Sequence, residues 1–399
     1  MANSRTFRVA IFLEMEWPLK RHVDIFAGTQ RYAQRHGWES MVDQVIIDKL
    51  PQRPTKSLAY QGIIGRITKP LAEHAIRLGL PVVNVWWSSP ARELLPGVFP
   101  DFQAAGHLQA EHLLTRGLRS FGTITNRGDQ GQELQMKQFR HVVEEAGCTC
   151  KTANVALHAL KRTNWRATEQ AITSWMDNLQ PPFGLYVGDE MIGRLVAQLC
   201  SDRGWHVPQD VAISTGQNTE IICAHPRPSL TSVEMNYNRI GYEAAQLLDQ
   251  LMREKESGNE TNQTGNPRHR LIPPQALVVR ESTDFFAVDD KLVAAALEYI
   301  AANGHRPIGP EDVAQVVATE LRTLQRRFRA HLDRSIAAEI RRVRIERAKR
   351  ELAQTDESIK SIARSVGFGT PMQMYQVFSR EVGITPTEYR KRQRSENAP

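Results

Sequence analysis

Two patterns of apolar spacing divide the chain. From Phe7 to about Ser282, short β-branched runs alternate with stretches in which apolar residues recur every three or four positions. The runs predict strands over 7–13, 62–65, 82–86, 120–125, 183–187, 211–215 and 276–280. Between them fall predicted helices: one through Ala27, Gln30 and Tyr32, then 71–78, 101–116, 131–146, 165–178, 190–203 and 236–254. Repeated βα alternation predicts parallel sheets covered by helices on both faces. At about 275 residues the region is long for one sheet, so two lobes are expected. The polar, Gly- and Asn-rich stretch Glu254–His269 reads as a surface loop inside it, because an apolar run follows.

Beyond Lys291 every segment predicts helix. Pro310 sits at a helix start with Glu311 and Asp312 in the first turn, where no N–H is needed and negative charge is favoured. After a break at Thr319, Leu321, Leu324, Phe328 and Leu332 keep helical spacing, and a long helix follows through Ile336, Ile340, Val343, Ala348 and Leu352. The sentence then repeats. Ile359, Ile362 and Ala363 line a helix, Gly367 and Phe368 make a turn, and Thr370-Pro371 opens a helix with Met374, Val377 and Phe378 inward. Thr385, Pro386 and Glu388 form a capping box for the last helix. The expected fold is an α/β two-lobed sensor over 1–284, a linker over 285–290, and an all-α domain with two helix-turn-helix units over 291–395.

Composition changes the picture in two places. Charge is uneven: from Glu320 to Arg350 eleven Lys/Arg stand against four acids, a local excess equal to the whole chain's net charge of +7. A stripe that dense is expected to face phosphate, with a solvated helix face as the alternative. The apolar run Val9–Leu13 is too short for a secretory signal, and Glu14 and Glu16 follow at once. With no run of 18 apolar residues, a cytoplasmic chain without membrane contact is expected, and the sequons at Asn259 and Asn262 then mean only a polar loop. Cys148, Cys150, Cys200 and Cys223 fit no zinc spacing, so neither metal nor cofactor is expected. There is no GxxxxGK[ST], HExxH or GxSxG, and no cysteine in a nucleophilic setting such as DNA-repair methyltransferases need, so no enzyme is expected.

The segment TELRTLQRRFRAHLDRSIAAEIRRVRIERAKRELAQTDESIKSIARSVGFGTPMQMYQVFSREVGITPTEYR resembles the AraC-type DNA-binding domain, from about Val293 to Arg392. The resemblance implies two helix-turn-helix units joined by a rigid helix over 336–352, their recognition helices in successive major grooves about one turn (~34 Å) apart. In the first, Arg322, Gln325 and Arg326 point outward, with Thr323 and Arg327 beside them. Arginine can read guanine and glutamine adenine; for Arg326 and Arg327 the alternative is phosphate contact alone. In the second, Met372, Gln373, Tyr375 and Gln376 face outward; Gln373 and Gln376 can make directed contacts, and Met372 suits a thymine methyl. Weaker discrimination is expected from this half.

The N-terminal region is similar to the LacI/GalR-type, periplasmic-binding-like sensor, without that family's usual DNA-binding head. The likeness rests on FPDFQAAGHLQAEHLLTRGLRSFGTI, PPFGLYVGDEMIGRLVAQLCSDRGWHVPQDVAI, HPRPSLTSVEMNYNRIGYEAAQLLDQL and IPPQALVVRESTD. It implies a cleft between lobes at the C-terminal ends of the strands, and a monosaccharide effector such as xylose controlling sugar-utilisation genes. An activator that contacts RNA polymerase and a homodimer on double-stranded DNA are expected; a non-sugar effector, or none, is the alternative. Asp101 and Asp189 fall at strand-to-helix turns where such sensors accept sugar hydroxyls, or where they serve as helix caps. Trp17, or the Trp86-Trp87 pair, is a candidate for stacking on a sugar ring, against a packing role. Two departures from the family pattern concern the pocket. Gln135 stands where an arginine is usual, and Gln217 or Asn218 replaces an acidic position.

Overall fold

The structure, a computed structural model, describes residues 6–14, 20–53, 58–155, 165–258, 268–284, 290–332, 334–355 and 357–395. The chain divides into two compact units, residues 1–114 with 119–284, and residues 115–118 with 285–399.

The first unit holds two six-stranded sheets. Its first lobe is built from β1 (Arg8–Phe12), α1 (Lys20–His36), β2 (Glu39–Val42), α2 (Ile46–Lys49), β3 (Gly62–Gly65), α3 (Lys69–Arg77), β4 (Val82–Asn84) and β5 (Gly97–Pro100). After α4 (Phe102–Thr115) the second lobe follows: β6 (Ser120–Asn126), α5 (Gln130–Glu145), β7 (Thr149–Val155), α6 (Trp165–Met176), β8 (Phe183–Val187), α7 (Glu190–Asp202), β9 (Val211–Thr215), α8 (Glu220–Ala224) and β10 (Thr231–Glu234). Then α9 (Tyr237–Glu256) returns the chain to β11 (His269–Ile272) in the first sheet, and β12 (Ala276–Val278) closes the second. The sheet orders are β11-β5-β4-β3-β1-β2 and β12-β10-β9-β8-β6-β7. Only the β10–β12 pair among these is antiparallel.

Central strands such as GIIG of β3 and FGLYV of β8 are buried at every position, as expected for parallel strands covered on both faces. Alternation sends Val9 and Ile11 into the core under α1 and α9, and Ala10 into the core under α3. Helices α1 and α9 touch backbone to backbone: a Cβ on Gly28 would lie 1.8 Å from the Asn238 carbonyl oxygen, and one on Gly241 1.9 Å from that of Ile25.

Strands β2, β5, β7, β10 and β11 escape the sequence reading. The edge strands β2 and β7 are half exposed and carry several polar residues, Glu39 and Ser40 in one and Thr149, Lys151, Thr152 and Asn154 in the other, while β5 is bounded by Gly97 and Pro100. The polar stretch predicted as a loop over 254–269 is shorter at both ends, because α9 continues to Glu256 and β11 begins at His269. Residues 259–267, with both sequons, lie outside the described residues.

The second unit is helical throughout its described secondary structure: α10 (Lys291–Asn303), α11 (Pro310–Val316), α12 (Leu321–Leu332), α13 (Ile336–Gln354), α14 (Ile359–Ser365), α15 (Pro371–Val382) and α16 (Pro386–Ser395). It has two small cores. Leu297, Val313, Leu324 and Phe328 fill one, and Ile362, Phe368, Met374 and Phe378 the other. Helix α13 serves both, giving Ile336 and Ile340 to the first and Ile345 and Leu352 to the second. Asp290 caps α10, accepting from the Leu292 and Val293 amides. The rest of the expected linker, 285–289, lies outside the described residues. Ser335, Ser358 and Thr370 cap α13, α14 and α15, and Thr385 with Glu388 forms the expected capping box.

The two helix-turn-helix turns differ in strain. Ala318 sits at φ +52°, whereas the second turn has Gly367 at φ +90°. A left-handed conformation costs an L-residue ~1–2 kcal/mol. Ala318→Gly should therefore stabilise the helical unit by up to ~1 kcal/mol, the gain being reduced by glycine's extra unfolded-state entropy. Gly367→Ala should destabilise it by at least ~1–2 kcal/mol, since its Cβ would also lie 2.7 Å from the His305 carbonyl. Native-state amide exchange along α13 reads both changes.

Candidate functional site

Parallel strands bring their C-terminal ends together at the crossings between the lobes, where α/β folds bind ligands. At these ends stand Glu14, Arg66, Trp86 and Asp101 in the first lobe, and Asp129, Asp189, Glu190, Gln217, Asn218 and Glu234 in the second. The first turn of α1 reaches across. Lys20 Nζ donates to Glu234 Oε2 at 2.6 Å and to the Asn218 carbonyl at 3.0 Å, and Arg21 acts electrostatically on Asp189 and Glu190.

Asp101 and Asp189 both cap helices, yet each does so with one oxygen. Asp101 Oδ1 accepts from the Ala104 amide at 2.9 Å, and Asp189 Oδ1 from the Met191 and Ile192 amides at 2.8 and 3.1 Å. The cap and ligand readings are thus compatible, because the second oxygen of each accepts no hydrogen bond from the described residues. Burial pushes the Asp189 carboxyl above the ordinary range. The Ile192 and Met191 amides oppose this, Asp129 adds to it and Arg21 opposes it. Glu190 is likewise raised by burial, although the Thr219 hydroxyl donates to its Oε1.

The other expected ligand residues sit as follows. Trp86 is half-buried and the Arg66 guanidinium lies 4.4 Å from its ring centre, so one face of the ring already stacks on a cation. Arg66 is also paired with Glu14 at 2.8 Å. Trp17 lies outside the described residues. Gln135 is buried, 1% exposed, and its Nε2 donates to Gln109 Oε1 at 2.7 Å; Gln109 in turn donates to Ser214 Oγ and the Thr215 carbonyl. Gln217 offers its carbonyl to the Thr215 hydroxyl. Asn218 has both side-chain atoms engaged: Nδ2 donates to Glu234, and Oδ1 accepts from Ser232 Oγ and Arg280 Nη2. Sequence reasoning missed Lys20, Arg21, Asp129, Glu190, Glu234 and Arg280. One signal was present: two cations and no acid in the first turn of a helix, against the dipole's preference.

In the helical unit, α12 exposes Arg322, Gln325 and Arg326, half-buries Thr323, and turns Leu324 and Phe328 into the core. Arg327 differs from its neighbours. Its Nη1 pairs with Asp290 Oδ2 at 2.8 Å, tying α12 to the start of α10. Although burial alone would raise the Asp290 carboxyl, hydrogen bonds from Arg327 and the Val293 and Leu292 amides hold it below the usual range. On α15, Met372, Gln373 and Gln376 are exposed. Gln373 Oε1 accepts from the Gly369 amide at 3.0 Å, which occupies part of the amide expected to read bases.

The basic stretch 320–350 is not one phosphate-facing stripe. Arg334 and Arg342 hold the buried Glu339 at 2.7 and 2.6 Å. Arg344 donates to the carbonyls of Gly304, Arg306 and Ile308, fastening α13 to the loop between α10 and α11. Helical wheels cannot separate an arginine such as Arg344 from exposed ones, because its acceptors come from the loop between α10 and α11.

Two family models match the chain: a periplasmic binding protein-like domain over residues 110–283 and a helix-turn-helix domain over 313–392. Similar relatives include the xylose operon regulatory proteins of Haemophilus influenzae, 28% identical over 96% of this chain and 98% of that one, and of Escherichia coli K12, 25% identical over 97% of each. Among solved structures, the xylose-binding transcription activator xylR aligns with a TM-score of 0.57 over 97% of this chain and 98% of that one, at 21% identity, and so has the same fold.

Proposed function

We propose that this chain, a DNA-binding transcription regulator that joins a periplasmic-binding-like sensor to an AraC-type double helix-turn-helix domain, takes a monosaccharide, xylose foremost, in the cleft between its sensor lobes. The observation that carries this reading is the half-used pair Asp101 and Asp189: each caps a helix with one carboxylate oxygen and keeps the other for the hydroxyls of a neutral polyol. The similarity to xylose operon regulators along the whole chain supports the choice of sugar. Sugar that binds the closed cleft more tightly than the open one shifts the sensor toward closure, and a coupling of about 1–3 kcal/mol is enough to alter DNA affinity. We read the outcome as activation, with RNA polymerase as a further partner. A homodimer would set two double helix-turn-helix units on repeated half-sites.

Calorimetry with pentoses, hexoses and their acids, beside DNA affinity with and without each, tests the reading. Asp189→Ala should weaken sugar binding by about tenfold or more, as expected for loss of a hydrogen bond to a charged group worth ~1.5–3 kcal/mol. Binding unchanged in this variant would remove Asp189 from the site. No heat from any sugar, with the protein folded and bound to DNA, would overturn the sugar reading.

Affinity should also depend on pH with a definite sign. The Asp189 carboxyl is raised by burial, and sugar hydroxyls donate to its ionised form, so sugar binding releases a proton wherever the free site still holds one. Sugar affinity should be level at high pH and fall on acidification, starting above the range where ordinary aspartates titrate. Asp129 and Arg21, which face the group, should remain in place in Asp189→Asn. That variant should bind more weakly and lose the Asp189 part of the pH dependence, leaving only what the neighbouring Glu190, also raised by burial, contributes.

A further inference from the structure

A continuous set of hydrogen bonds runs from the first lobe to the end of the sensor. Lys20, on α1, donates to Glu234 Oε2 and to the Asn218 carbonyl. Glu234 Oε2 also accepts from Asn218 Nδ2 at 2.6 Å, and Asn218 Oδ1 accepts from Arg280 Nη2 at 2.9 Å. Arg280 is nearly buried, its side chain 10% exposed. It also donates to the Leu230 carbonyl, Ser232 Oγ and Glu220, while its own amide donates to Thr231 Oγ1. The next residues are fixed to the same sheet. Ser282 Oγ donates to the Ile213 carbonyl, and the Thr283 hydroxyl lies 2.7 Å from that of Thr231. Four residues after Arg280 the sensor ends at Asp284, and the chain runs on to the DNA-binding unit.

The first link is conditional on closure. Lys20 stands in the first turn of a helix with no acid in that turn, where the dipole disfavours a cation. Its partners, Glu234 and the Asn218 carbonyl, belong to the second lobe. When the lobes part, Lys20 leaves both together, and solvent replaces the lost contacts on a part-buried pair. The loop that carries Asn218 then loses its cation, and with it one of the restraints that hold Asn218 Oδ1 on Arg280. A contact made in the closed cleft and broken in the open one is the kind of two-state element that a physical coupling route requires.

We infer that Asn218 and Arg280 form the relay that passes cleft closure to the segment leaving the sensor, with Arg280 as its positioning residue; this rests on the proposal that the cleft controls DNA binding. The test needs no ligand: amide exchange of the full chain in wild type, Lys20→Met, Arg280→Gln and the double variant. Lys20→Met should speed exchange about tenfold both at 216–223 and at the bonded amides of 282–284, leaving β6 and β8 unchanged. In Arg280→Gln the amides of 282–284 should already be fast, and adding Lys20→Met should change only 216–223. The relay is overturned if Lys20→Met leaves 282–284 untouched, or if its effect there persists in full without Arg280. DNA affinity with and without D-xylose forms a separate arm. A wild type that ignores every sugar sinks the effector reading, while the exchange result still decides the relay.

Discussion

The affinity of a fragment spanning residues 285–399 for duplex DNA should fall about a thousand-fold between ~50 and ~200 mM salt, on an estimate of about six neutralised phosphates. The fragment has its own two cores, linked by α13, and should fold without the sensor. The cations that carry the effect are those free to face phosphate, with Arg322, Arg326 and Arg329 exposed on α12. Where Arg326 meets phosphate, Arg326→Ala should lower the log–log slope by about one. Arg344→Ala should instead leave the slope alone and destabilise the unit, because its guanidinium serves three carbonyls of the α10–α11 loop. Fluorescence anisotropy over a salt series measures the slope. An affinity flat across that range would reject electrostatic docking.

Sequence discrimination should be unequal between the two recognition helices. Arg322→Ala or Gln325→Ala should each relax preference at one position by ~1–3 kcal/mol, the worth of a good bidentate contact. Both side chains are exposed, and among the described residues neither is held by an ion pair as Arg327 is. Gln376→Ala should cost less. Gln373→Ala should act partly on the start of α15, since its amide oxygen holds the Gly369 N–H. Selection of binding sites from random duplexes, for wild type and each variant, reads these preferences directly. Identical preferred bases in all of them would remove these residues from the readout.

Each helix of the C-terminal unit was legible because its signals are local. Caps at Thr370 and Thr385 act within one turn of their own chain, and a helix's apolar face repeats within a dozen residues. The βα alternation, the two lobes and the strand-end positions of Asp101 and Asp189 were legible for a similar reason: buried parallel strands leave continuous apolar runs. Strands β2, β5, β7, β10 and β11 were not. Their pairing comes from neighbouring strands, and their own residues are short, polar or bounded by Gly and Pro.

What the linear chain settles, then, is which residue types stand at strand ends and on recognition helices, since periodicity and caps reach only a few positions. Tertiary structure decides what those side chains are free to do. Lys20 finds Glu234, Arg280 finds Asn218, Arg327 finds Asp290 and Arg344 finds the Gly304 carbonyl, at sequence separations of 214, 62, 37 and 40. A guanidinium or amide bonds whatever acceptor the fold delivers within about 3 Å, and no local pattern encodes an acceptor that distant in the chain. Residues alike in sequence therefore part in role: Arg326 stays exposed, while Arg327 beside it ties α12 to the start of α10.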